Sequence, residues 1–202
     1  MKRDELRYSE RVPTNRFTEL AEVAADQHGY FGLDDSRAVG YADNTVAQMA
    51  RRGRIERVSQ GVYRIPFLPG GRMGPYMAAV MWPAGVRGVI SGETALDLWE
   101  VGDVNPTSIH ITVPRSHRPQ REVPAAYALH RVDLDPVDVT EIEGVPVVTL
   151  ERAIRECVAG HLAADLLEQA IRHGRERGLL SDAQADALAA ETGTDRVAVG
   201  RA

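Results

Sequence analysis

Asn44-Thr-Val-Ala-Gln-Met-Ala-Arg-Arg-Gly53 is the stretch on which the fold turns. Val46, Met49 and Ala50 stand at i, i+3 and i+4, the spacing of one helix face, and are expected to pack inward. Asn44, Gln48 and Arg52, four residues apart, line the exposed face with Thr45 and Arg51 beside them. Asp43 or Asn44 offers an N-cap, the helix runs to Arg52, and Gly53 stops it. Such a polar face suits the DNA major groove, because an asparagine or glutamine amide pairs bidentately with adenine and an arginine with guanine.

Working outward, residues 15–28 place Phe17, Leu20, Ala21, Ala24 and Ala25 at helical spacing, with Gly29 as the stop. After Tyr30 and Phe31, Asp34 and Asp35 offer the N-cap of a short helix ending near Val39, and Gly40 permits the turn that follows. Beyond the central helix, Ile55 and Val58 flank polar residues, Gln60-Gly61 makes a turn and Val62 to Ile65 alternate as a strand, a small β-hairpin. Two helices, a third and a hairpin in this order make a winged helix-turn-helix over residues 15–66. Arg54, Arg57, Gln60 and Arg64 are expected to hold phosphates, which sets register and affinity without conveying sequence.

The charge distribution agrees with a localised anionic partner. Residues 44–65 hold five arginines (Arg51, Arg52, Arg54, Arg57, Arg64) against Glu56 alone, a local +4 in a chain of net −5, so the remainder carries −9. A basic patch on an acidic body favours one docking face and discourages general coating of nucleic acid.

Composition narrows the function classes. The chain has 202 residues, 44% of them hydrophobic and 26% charged, with one cysteine, as in an ordinary globular protein of a reducing compartment. Cys157 lies in an apolar helical pattern and is expected to act as a small buried hydrophobe. The N-terminal run has no apolar core of a signal peptide and no stretch reaches the apolar length of a membrane helix, so a cytoplasmic protein is expected. Lys2 is the single lysine among 24 basic residues, which removes Walker-type phosphate loops, Schiff-base lysines and lysine-containing nuclease cores. No HExxH, CxxC, GxSxG or GxGxxG motif is present. The expectation is a protein that is not an enzyme and needs no cofactor.

Pro66 to Pro75, dense in proline and glycine, is the natural boundary. The organisation read from the sequence is an arm over 1–14, the winged helix over 15–66, a linker over 67–75, a mixed domain over 76–191 and a tail over 192–202. Within the second domain a helix is expected over Tyr76 to Met81 and another, capped by Ser91, over Gly92 to Trp99. Strands are expected at Ile109 to Val113 and Tyr127 to Val132, with β-structure at Val137 to Thr140 and Val145 to Val148. From Thr149 the chain turns helical, weakly so at 182–190. The fold class is α+β, a winged helix followed by a mixed α/β domain ending in helices.

Other constellations were weighed for chemistry. Arg115, His117, Arg118 and Arg121 share a loop after a strand, open to contact with nucleic acid or a protein partner, or simply to solvent. His110, His117 and His130 lack the spacing or cysteine partners of a zinc site, so no metal is expected. Glu93, Asp97 and Glu100 share a helical stretch and read as a solvated face. Trp82 and Trp99 are expected to anchor the core.

The run LAEVAADQHGYFGLDDSRAVGYADNTVAQMARRGRIERVSQGVYRIP resembles the winged-helix domain of the AbiEi antitoxins of type IV toxin–antitoxin systems. SGETALDLWEVGD, SIHITVPRSHRP, VTEIEGVPVVTLERAI and HLAADLLEQAIRHGRERGLL resemble, in order, their C-terminal antitoxin domain. The resemblance implies an autorepressor that binds repeats upstream of its own operon and counters a co-encoded nucleotidyltransferase-type toxin; the oligomeric state stays open, a dimer on DNA being the state that repeated half-sites would suit. The alternative is a ligand-responsive repressor unconnected to a toxin; a nucleic-acid enzyme is the weakest reading.

Overall fold

The computed structural model describes residues 15–193; the arm over 1–14, Lys2 included, and the tail from 194 onward lie outside the described residues. The first helix, α1 (Arg16–Ala25), starts where the Asn15 side chain accepts a hydrogen bond from the Phe17 amide, and it buries Leu20 and Ala24. Gly29, at φ +87°, turns the chain into a three-residue strand, β1 (Tyr30–Gly32). Then follow α2 (Leu33–Ala38), α3 (Asp43–Arg51), β2 (Glu56–Ser59) and β3 (Val62–Arg64). The three strands form an antiparallel sheet in the order β1-β3-β2. This is a winged helix-turn-helix, with β2 and β3 as the wing and Gly61, at φ +82°, in its turn.

Two expectations about caps are corrected. Gly32, not an aspartate, precedes α2; Asp35 sits one turn inside the helix and its Oδ2 accepts from the Gly32 amide at 2.7 Å. Ala42, whose methyl group cannot accept a hydrogen bond, precedes α3, and Asp43 is the first helical residue, held in a two-point ion pair with Arg37 at 2.6 and 2.9 Å. The strand at Tyr30 to Gly32 was not expected either. Phe31 is fully buried there and stacks on Tyr63 of the facing strand, with ring centroids 5.6 Å apart. Around that pair, Leu20, Ala24, Val46, Met49, Ile55 and Ile65 complete the first hydrophobic core.

A second and larger core gathers side chains from α4 (Gly74–Met81), β4 (Val89–Ile90), α5 (Gly92–Leu98), β8 (Val145–Val148), α6 (Leu150–Ala159), α7 (Ala164–Glu176) and α8 (Asp182–Thr192). With β5 (Ile109–Val113), β6 (Tyr127–Arg131) and β7 (Val139–Ile142), the strands form a five-stranded mixed sheet in the order β6-β5-β4-β8-β7. β4 pairs antiparallel with β5 and parallel with β8; β5 and β6 run parallel. β4 was not expected, yet its two residues hold the centre of the sheet, with Ile90 buried. Val137 belongs to a 3₁₀ turn over Pro136–Asp138 and is exposed, so the β-structure expected from Val137 begins at Val139. Ser91 does precede α5, but its hydroxyl makes no cap and instead accepts from Thr112 Oγ1 at 2.9 Å. α8 opens with a capping box between Ser181 and Gln184 and ends on Gly193 at φ +71°, firmer than the weak pattern at 182–190 implied.

The two cores touch. Tyr30 packs against the larger one, and a Cβ added at Gly74 would lie 3.0 Å from the Tyr30 ring. Across the same boundary Arg87 donates to Gln27 at 2.8 Å and His28 Nε2 lies 2.7 Å from the Glu143 carbonyl oxygen. No helix among the described residues is long and apolar enough to cross a membrane.

Gly88 shows how tightly the second unit is packed. A Cβ there would sit 2.5 Å from Ile111 Cγ2 and 3.4 Å from Val80 Cα, with no room to shift. Gly88→Ala is expected to lower stability by about 1–3 kcal/mol through overpacking. A thermal melt of the variant beside the parent checks this, and an unchanged midpoint would disprove the crowding.

Candidate nucleic-acid interface

The chemistry of the winged helix starts from what α3 buries. Val46 is fully buried and Met49 nearly so, and Ala50 packs on the same core, which turns Asn44, Gln48, Arg51 and Arg52 to solvent. Thr45 is half-buried beside them and its hydroxyl reaches Asn44 Oδ1 at 3.4 Å. The structure therefore brings Asn44, Gln48, Arg51 and Arg52 onto one exposed face.

The nearby acids are neutralised within the fold. Arg37 holds Asp43 from one side and Asp34, at 2.7 Å, from the other. Its hydrogen bond to Asp43 and their mutual attraction raise the Arg37 pKa, and the same hydrogen bond lowers that of the Asp43 carboxyl. Glu56 pairs across the wing with Arg64 at 3.1 Å. Arg51, Arg52 and Arg57, all exposed, have no ion-pair or hydrogen-bond partner for their guanidinium groups among the described residues.

The other predicted contacts divide. Arg54 lies 3.9 Å over the Phe17 ring, a cation–π contact that tethers it beside α1. Arg64 is engaged by Glu56 and donates to the Leu68 carbonyl at 3.0 Å, so the structure ties it inside the wing rather than leaving it free for a phosphate. Gln60 stands exposed at the wing turn, and Val58 projects from the wing 45% exposed.

The loop after β5 comes up against the wing. Arg121 donates to the carbonyls of Gln60 and Trp82 and stacks over the Trp82 ring at 4.8 Å. It is thus an internal brace, and not the exposed contact residue that its loop position suggested. Arg118 folds onto the carbonyl of His117 at 3.1 Å and that of Arg115, and the Arg115 amide donates to Asp133 at 2.9 Å. The guanidinium of Arg115 stays exposed, while His117 is half-buried with an unpartnered Nε2.

Sequence reasoning set aside a pair that the structure joins. His110 Nδ1 and His130 Nε2 lie 3.3 Å apart on neighbouring parallel strands. The acids Glu93, Asp97 and Glu100 scatter instead: Asp97 accepts from the Tyr76 hydroxyl at 3.1 Å, Glu100, just beyond α5, pairs with Arg72 at 3.3 Å, and Glu93 lines a cavity together with the two histidines. Cys157 is buried, and burial pushes its thiol up to about 12.

Comparisons with known proteins extend this picture. Residues 19–66 match a family model described as a transcriptional regulator, AbiEi antitoxin. The fold is similar to the crystal structure of the RV2827C protein from Mycobacterium tuberculosis, with a TM-score of 0.51 at 15% identity, over 87% of this chain and 71% of that one. None of the curated proteins matches the sequence.

Proposed function

We propose, from a winged helix that matches the AbiEi family over residues 19–66, that this chain is an antitoxin that binds its own promoter and represses its operon. The observation that carries the DNA half is the trio Arg51, Arg52 and Arg57, exposed on α3 and the wing beside acids already neutralised by Arg37 and Arg64. In this reading Asn44, Thr45, Gln48, Arg51 and Arg52 face base edges, while Arg54, Arg57 and Gln60 meet the sugar–phosphate backbone. Arg115 and Arg118 belong to the loop whose Arg121 reaches the wing at Gln60, and in this reading they supply a further contact surface for nucleic acid or toxin. The family match supports the antitoxin half; the partner in this reading is a co-encoded nucleotidyltransferase-like toxin.

The test is a titration of the full chain against a labelled duplex from upstream of its own gene and a scrambled duplex, at two salt concentrations. A preference of about 10³ or more for the native duplex is expected, with affinity falling steeply as salt rises. Absence of binding to either duplex would remove the DNA reading and leave the arginines a solvated face.

A further inference from the structure

We propose that the cavity where β5 and β6 meet α5 and α6 binds a small planar ligand with adjacent N–H donors, a guanidinium group or the N–H edge of a guanine. The cavity measures about 520 Å³, within the range of small-molecule sites. Glu93, His110, His130, Glu156 and Cys157 line it, and none of them belongs to the winged helix.

The ligand class follows from which groups are already engaged. Arg152 donates to Glu156 at 2.8 Å and to Asp138 at 3.2 Å, so the cation of the cavity is held by two carboxylates. Glu156 also accepts from the Gly92 amide at 3.0 Å, which occupies its second oxygen. Glu93, half-buried on the first turn of α5, has neither an ion pair nor a side-chain hydrogen bond among the described residues. The cavity thus offers a free carboxylate and no free cation.

The histidine pair reinforces this bias. Burial, followed by the charge of His130, lowers the pKa of His110, which favours its neutral form. The hydrogen bond between the two rings engages one nitrogen of each and leaves the other nitrogen of each ring for the surroundings. An anion would meet the Glu93 and Glu156 carboxylates, with the one arginine of the lining already held by two acids. A planar donor group instead finds a carboxylate able to take two parallel hydrogen bonds, with the two imidazoles lining the same cavity. The described residues contain no cluster of three groups placed to hold a metal ion, so the histidines are not read as metal ligands. Cys157, protonated and buried, takes no covalent part.

Gly92 shapes the site. It adopts φ +54°, and a Cβ there would lie 2.9 Å from His110 Nδ1, so only glycine lets the start of α5 approach the imidazole this closely.

The experiment uses the full chain, with calorimetric titration of agmatine, guanosine and inorganic phosphate, and histidine-ring NMR signals as a second readout. Agmatine or guanosine is expected to bind and to shift the His110 and His130 ring signals, and which of the two does so identifies the source of the donor group. Glu93→Gln is expected to weaken that binding at least tenfold and to leave promoter binding unchanged, which separates this inference from the DNA reading. Binding of phosphate alone, equal binding by the Glu93→Gln variant, or silence of both ring signals with every probe would overturn it.

Discussion

Phe31→Ala is expected to destabilise the winged helix by about 3–5 kcal/mol, the cost of removing a fully buried aromatic ring. Phe31 has no exposed surface and stacks on Tyr63, and it contacts the core from the middle of a three-residue strand. So short a strand has few other side chains with which to close the gap. Both tryptophans, Trp82 and Trp99, lie outside residues 15–66, so their fluorescence follows the larger unit while far-UV circular dichroism follows both. In a denaturant titration the circular dichroism transition of the variant is expected to begin earlier, with the fluorescence midpoint nearly in place. Equal shifts of both probes would show that the two cores unfold as one, and would remove the division at residues 67–75.

Arg52→Ala is expected to weaken binding to the native duplex by about 1–3 kcal/mol and to leave binding to scrambled DNA nearly unchanged. Arg57→Ala is expected to weaken both duplexes similarly and to reduce the salt slope by about one. The contrast follows from position. Arg52 ends the exposed face of α3, whereas Arg57 stands on β2 of the wing. Arg64→Ala is the control, because Glu56 and the Leu68 carbonyl already hold that guanidinium and no change in salt slope is expected. Equal, sequence-blind losses from Arg52→Ala and Arg57→Ala would refute the assignment of a reader and an anchor.

What the sequence made legible was the part governed by local periodicity. Val46, Met49 and Ala50 showed the inner face of α3 because helical spacing alone fixes it, and Ile109 to Val113 showed a strand by alternation. β1 and β4 were missed because three and two residues are shorter than any pattern that could announce them. The aspartates near α2 and α3 carried the right residue type for caps, but Arg37 and the Gly32 amide competed for them through contacts that spacing does not reveal. The engagement of Arg64 and Arg121 was hidden for the same reason. His110 and His130, 20 positions apart, become neighbours only through the parallel pairing of β5 and β6. No helical or cysteine spacing marks them.

In the DNA-binding reading proposed above, the grip of Arg121 on the Gln60 carbonyl bears on how tightly the protein holds its target. A two-stranded ribbon standing alone samples many conformations, and a partner that selects one of them loses affinity in proportion to its rarity. Here the guanidinium reaches across from the neighbouring unit and holds the ribbon's turn in place before any duplex arrives. The entropy of ordering the wing is lost once, when the chain folds, and not again at each encounter.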